Sequence, residues 1–295
     1  MIVITHIFYC MSNYIHEIID ITIESIEKKS KFIQEPSNSE DCLKTGFSSL
    51  EFHKGELCVL SSKSWMGKSA FVLSLIKQLA VEDKQPVGLV VPGNYDDITL
   101  GKRLISICSG VDIAKINSGI FKPADFQKIK NTADKLYDSP VYFFTEPNCN
   151  YSDASESIKD MVQKFHSKLI IVEGFDFFQE LVDAEKHEYR NALENLIWNF
   201  RSLANELAVS IMLVIDLPDE DSDRLVEPTL LDFKKYMIIP TMADQVIFVY
   251  RDYIHLTNDG CNEGKLIFAK NENGFRSETP IKYKLTTGEF FEGKQ

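Results

Sequence analysis

The residues best suited to chemistry are Gly67, Lys68 and Ser69, which close the stretch SSKSWMGKS at Ser61–Ser69. A Gly-Lys-Ser set between an apolar run and a helix can hold phosphate, because successive backbone N–H groups and the helix N-terminus face the oxygens. In that geometry Gly67 lets the backbone approach closely, Lys68 neutralises the β- and γ-phosphates, and the Ser69 hydroxyl holds Mg²⁺. Ser62, Lys63, Ser64, Trp65 and Met66 form the body of the loop, with Ser62 where the usual pattern has its first glycine. The triplet alone also fits a plain turn. The run LCVLS at Leu57–Ser61 before it and the helical pattern of Lys68–Leu79 after it favour the phosphate loop.

The elements that must position this loop follow from hydrophobic patterning. Apolar runs at Leu57–Ser61, Val87–Val91, Val141–Phe144, Leu169–Val172, Ile211–Ile215, Val246–Tyr250 and Leu266–Ala269 read as strands. Helical stretches read at Asp97–Ser109, Pro123–Tyr137, Asp153–Phe165 and Tyr189–Leu207, with Pro123 suited to a first helical position. Uniformly apolar strands separated by helices predict an α/β fold with a mostly parallel sheet covered on both faces. Upstream, Ile15, Ile18, Ile19, Ile23 and Ile26 recur at helical spacing, and the polar stretch QEPSNSEDC at Gln34–Cys42 reads as a linker. The expected organisation is an N-terminal helix and linker over 1–43 and an α/β domain over 44–295.

The chain has 295 residues and a formal net charge of −12, which lowers the expectation of a long nucleic-acid footprint without excluding a local basic groove. Cys10, Cys42, Cys58, Cys108, Cys149 and Cys261 are scattered, with no C-x-x-C pair and no histidine at metal-ligand spacing. They read as reduced, small apolar residues, which suits a reducing cytoplasm. The apolar stretch Met1–Met11 lacks a basic start and a small-residue cleavage site and is too short to span a bilayer, and either Met1 or Met11 could be the start. No membrane association is expected.

The chain resembles the motor domain of DnaB-type replicative helicases. The segment Lys44–Phe71 (KTGFSSLEFHKGELCVLSSKSWMGKSAF) is similar to the opening of that domain, and Arg103 with Leu104, Arg201–Leu207 (RSLANEL), Ala243–Asp252 (ADQVIFVYRD) and Lys270–Gly274 (KNENG) match in order. The resemblance covers about Lys44 to Phe290. It implies a RecA-like P-loop fold and ATP or ADP with Mg²⁺ at a subunit interface, with Arg103 beside the nucleotide. It further implies a homo-oligomeric ring aided by an N-terminal linker helix, and single-stranded DNA or replication proteins as partners.

Several positions depart from the family. Asn94, in VVPGNYDD, stands where the family has the glutamate that activates the attacking water, leaving Asp96 and Asp97 as nearby carboxylates. Glu173 replaces the metal-associated aspartate; Ile215 and Asp216 replace a Ser-Gln pair that senses the γ-phosphate; and Glu272 replaces the arginine finger, while Lys270, also a contact to a neighbouring subunit in the family, is kept. Loss of a general base costs roughly 10²–10⁴ in rate and loss of such a finger roughly 10³–10⁵. The segments matching the DNA-facing loops, Gln179–Glu188 and Leu217–Glu227, are dominated by acids, leaving Arg190, Arg224, Lys234 and Lys235 as candidate phosphate contacts. The expectation is a nucleotide-binding protein related to DNA replication, with impaired hydrolysis and a weak grip on DNA; the alternative is an active ATP-dependent helicase.

Overall fold

The computed structural model describes Ile23 and residues 42–93, 97–218, 226–252, 260–274 and 276–293, with Lys235 described in its backbone only. The chain divides into Met1–Asp41 and Cys42–Gln295, and every labelled element belongs to the second unit. The helix expected over Tyr14–Ile33 lies, apart from Ile23, outside the described residues. Among the described residues no helix is long and apolar enough to cross a membrane.

A ribbon of β1 (Cys42–Lys44) and β2 (Glu51–His53) precedes a nine-stranded sheet built from β3 (Leu57–Ser62), β4 (Val87–Pro92), β5 (Val141–Glu146), β6 (Leu169–Glu173), β7 (Ser210–Asp216), β8 (Gln245–Arg251), β9 (Cys261–Asn271), β10 (Glu278–Lys284) and β11 (Glu289–Glu292). Its order is β11-β10-β9-β8-β3-β7-β6-β4-β5, parallel from β8 through β5 and antiparallel from β8 outward to β11. The helices are α1 (Lys68–Ile76, continued by a π-turn over Lys77–Glu82), α2 (Asp97–Ser109), α3 (Ile113–Ser118), α4 (Pro123–Tyr137), α5 (Tyr151–Phe165), α6 (Gln179–Val182), α7 (Tyr189–Leu207) and α8 (Ile238–Met242).

The apolar runs are continuous because both faces of the parallel strands are buried, and successive residues point opposite ways. In β3, Cys58 and Leu60 join a core with Phe71 and Leu75 of α1, while Leu57 and Val59 join another with Ile197 and Phe200 of α7. β6 divides in the same way, Leu169 and Ile171 to the first core, Ile170 and Val172 to the second. The sequence patterning thus located the central elements. It missed β10, β11, α3, α6, α8 and the two-stranded ribbon, which are short or half-solvated and lack a strong periodic signal.

The two tracts Arg201–Leu207 and Ala243–Asp252 meet at the start of β3. Asp244 accepts the Leu57 amide at 2.8 Å and pairs with Arg201. A buried charge pair also satisfies a backbone donor there, so the central strand begins at a defined place.

Phe200 is fully buried among Tyr151, Phe175 and Phe178 at centroid distances of 5.2, 6.0 and 5.5 Å. Phe200→Ala is expected to cost about 3–5 kcal/mol, since the surrounding rings are fixed on α5 and on the turn after β6 and relax only partly into the void. Urea denaturation followed by circular dichroism measures it, and a loss under about 1 kcal/mol would show that this aromatic cluster is not a major contributor to stability.

Candidate nucleotide site

Ligands of open parallel sheets sit beyond the carboxyl ends of the strands, and the phosphate loop leaves β3 at that end. Gly67 caps α1 with φ +99°, where a Cβ would be strained and would also stand 3.0 Å from the Phe290 ring. Trp65 also has positive φ (71°) and its side chain is 80% exposed, whereas Met66 is buried. The loop therefore presents backbone, Lys68 and Ser69 inward and an indole outward.

Strand register brings the carboxylates to this point. Ser62 pairs with Asp216 across β3 and β7, and Glu173 ends β6, the strand on the far side of β7. Lys68 folds back over the end of β3, donating to the Ser62 hydroxyl at 3.1 Å and forming an ion pair with Asp216. Ser69 hydrogen-bonds to Glu173, whose pKa is raised by burial against the opposing pull of Ser69, Arg103 and Lys68. Glu173 Oε2 is buried without a hydrogen-bond partner. Asp176, in the turn after β6, is pushed up to about 6 by the surrounding protein and then by Asp216. Its residue surface still faces solvent, which limits any contribution of that shift to stability.

A cleft of about 840 Å³ adjoins this point, lined by Gly67, Lys68, Ser69 and Asp216, by Thr99 and Arg103 of α2, and by Arg251, Tyr283 and Gly288. Its size suits a nucleotide. Arg251 lies 4.2 Å from the centroid of the Tyr283 ring and donates to the Trp65 carbonyl at 3.0 Å. Sequence reasoning missed this pair: Arg251 stood in a matched tract, but its juxtaposition with Tyr283 depends on the β8–β9–β10 meander. A groove of about 780 Å³ over β5 and α5 is lined by Glu146, Asp153, Glu156 and Asp160 and, among the described residues, by no lysine or arginine, so it is poorly suited to phosphate.

The structure brings Ser62, Ser64, Gly67, Lys68, Ser69, Arg103, Glu173 and Asp216 together and separates others from them. Lys63 belongs to the loop, but its ammonium turns to the Val226 carbonyl at 2.9 Å, so only its backbone is available to a phosphate. Lys270 donates to the Ala243 carbonyl at 2.6 Å and pairs with Glu272 at 2.9 Å. Both stand at the amino-terminal edge of β3 and β8, a strand length or roughly 17 Å from the same chain's phosphate loop. Arg190 is paired with Glu194 along α7 at 2.9 Å, and Lys234 is exposed with φ 49°. Asp97 opens α2 and is exposed, while Asn94, Asp96 and Arg224 lie outside the described residues, as does the Lys235 side chain. Of the acidic loops, Glu180 accepts the Tyr151 amide at 2.8 Å and Glu227 pairs with Lys265 at 2.8 Å, so both carboxylates have local structural partners.

The family model described as DnaB-like helicase C terminal domain matches residues 42–292. The chain belongs to this family. Among its relatives are the "Replicative DNA helicase DnaB" of Treponema pallidum (strain Nichols), 28% identical over 78% of this chain and 51% of that protein, and the "Probable plasmid replicative DNA helicase" of Chlamydia psittaci, 24% identical over 85% and 55%. The chain spans about half the length of the curated relatives it matches. A solved DnaB-like replicative helicase, described with its interactions with primase, superposes with a TM-score of 0.79 at 17% identity, over 92% of this chain and 66% of that one. The fold is RecA-like: a large, mostly parallel sheet flanked by helices.

The raised Asp176 carboxyl makes a signed prediction. It is expected to be charged above pH 6, where it opposes an incoming triphosphate, and neutral below it. Affinity for Mg·ATP should therefore rise as pH falls through about 6 more steeply in the wild type than in Asp176→Asn. Calorimetry across pH 5–8 gives the comparison, and identical profiles for the two proteins would exclude the effect.

Proposed function

We propose that this DnaB-like domain binds Mg·ATP or Mg·ADP in the cleft above β3 but hydrolyses ATP slowly. In this reading it acts through nucleotide occupancy, within a ring or with replication proteins, more than by driving along DNA. The observation that carries the reading is the ion pair of Lys68 with Asp216. The ammonium that would meet the γ-phosphate already has an anionic partner, and the family's amide at that position has become a carboxylate.

Two like charges about 4 Å apart repel by roughly 4 kcal/mol at an effective dielectric near 20, and by less where water screens the half-exposed Asp216. A divalent cation between them reverses the sign. Ser69 and Glu173 suit that cation, since the buried, unpartnered Glu173 Oε2 offers a free acceptor beside the hydroxyl. Held by Ser69 and Glu173, Mg²⁺ would offset the phosphate charge. Arg103 lines the cleft from α2, where it would meet phosphate oxygens, and the Arg251–Tyr283 stack would offer a flat, partly desolvated surface to the base.

Glu272 with Lys270 lies too far from the chain's own loop to act there, so a contribution to catalysis would have to reach a neighbour's cleft. A glutamate there would repel the phosphates it approached. The acids in Gln179–Glu188 and the Arg190–Glu194 pair support a weak grip on single-stranded DNA. The alternative, an ATP-driven translocase on single-stranded DNA, is favoured by the intact Gly67-Lys68-Ser69 set and the retained Lys270.

Calorimetry with Mg·ATP is expected to show binding that Lys68→Ala abolishes, while steady-state phosphate release stays within about tenfold of that variant, with or without single-stranded DNA. Brisk, DNA-stimulated release would overturn slow hydrolysis and establish the translocase reading. Absence of binding in well-folded protein would remove both. Asp216→Gln, by freeing Lys68, is expected to tighten Mg·ATP binding roughly tenfold, about 1.4 kcal/mol; unchanged affinity would separate Asp216 from phosphate binding. Tyr283→Ala is expected to weaken ATP about as much as ADP, because both carry the base, and a selective loss of ATP alone would rule out the base-stacking role.

A further inference from the structure

The β1–β2 ribbon gathers a set of side chains that the phosphate site does not use. Pairing Cys42 with His53, Leu43 with Phe52 and Lys44 with Glu51 sends Leu43 and Phe52 into the core and the other four side chains to the opposite face. On that face the Cys42 Sγ, a Glu51 carboxylate oxygen and a His53 ring nitrogen lie within 4.8 Å of one another. The Cys42 Sγ to Glu51 Oε2 distance is 3.6 Å.

We propose that Cys42, Glu51 and His53 form a binding site for a divalent transition-metal ion of the Zn²⁺ type, separate from the Mg·nucleotide cleft. A thiolate, an imidazole and a carboxylate are the donors Zn²⁺ takes, at about 2.3, 2.0 and 2.1 Å, so neighbouring ligand atoms on a tetrahedron stand roughly 3.3–3.8 Å apart. The sulfur–oxygen edge already has that length. The remaining closure, up to about 1.5 Å given these edge lengths, falls to rotation of the half-buried Cys42, Glu51 and His53 side chains. Hard ions such as Mg²⁺ and Ca²⁺ prefer all-oxygen sites and fit poorly.

The local electrostatics admit a cation. Glu51 and Glu56 act electrostatically on Cys42, with Lys44 opposing them on the same face and Arg201 opposing Glu56. Without metal, burial and then Glu51 push the Cys42 thiol up to about 12, so it is neutral. On binding, the S–H proton leaves to the buffer, the sulfur–metal bond forms, and Glu51 changes from a neighbour that opposes the thiolate to a co-ligand. Three protein ligands leave a fourth position for water.

The consequence is mechanical. Two-stranded ribbons are marginal on their own, and this one leads directly into β3 and the phosphate loop. It is tied to the sheet by the Gln245 amide on the Glu51 carbonyl at 2.9 Å. A metal would clip its two strands at their open end.

Titration of the full chain with Co²⁺, without nucleotide and in a non-thiol reductant, tests the proposal. The expected result is one Co²⁺ per chain with a sulfur-to-cobalt charge-transfer band that Zn²⁺ bleaches. Cys42→Ser should lose the band, and His53→Ala should bind at least tenfold more weakly, with far-ultraviolet circular dichroism unchanged. No band in the wild type, or a band that survives in folded Cys42→Ser, would overturn it. If Cys42→Ser fails to fold, wild-type affinity in His53→Ala overturns it instead.

Discussion

An ammonium held at the convergence of three strand ends is the interaction on which the rest of this site depends. Lys68 is anchored to Ser62 at the end of β3 and paired with Asp216 at the end of β7, with Glu173 of β6 bonded to Ser69 beside it. None of these side chains could be so placed without adjacent parallel strands, because parallel order puts all the carboxyl ends on one edge. The buried α/β sandwich supplies that order, and its two apolar cores hold the strands in register.

The same geometry sets the two carboxylates of the site apart. Asp216 is half-exposed and meets the Lys68 ammonium rather than the buried core. Its effect falls on whatever next competes for that cation. Glu173 differs in kind: it is buried, it satisfies the Ser69 hydroxyl, and its second oxygen has no protein partner. Two carboxylates of different character therefore flank Lys68 and Ser69, one buried and one half-exposed. Nucleotide binding and nucleotide turnover make separate demands on this arrangement.

At the opposite edge of the sheet, the Arg201–Asp244 pair starts β3 and the Lys270–Glu272 pair ends β9. These two edges are joined through the core yet face different surroundings. Only an assembly of copies could bring one chain's Lys270 near another's Lys68.

Sequence alone determined the parallel α/β sheet, because strands buried on both faces must be continuously apolar and their connecting helices must be periodic. It also placed Gly67, Lys68 and Ser69 where the loop after β3 enters α1, since an apolar run and a helical pattern flank them in the chain. Tertiary structure decided the rest. Pairing Lys68 with Asp216 links residues 148 apart in number through the β3–β7 register. Stacking Arg251 on Tyr283 requires the antiparallel meander, and turning Lys63 away requires Val226 to come close. Cys42 gave no metal signal in linear spacing, because the hairpin register, rather than adjacency, places it beside His53. Side-chain chemistry is written locally, but the meeting of distant groups is set by how the strands pair and pack.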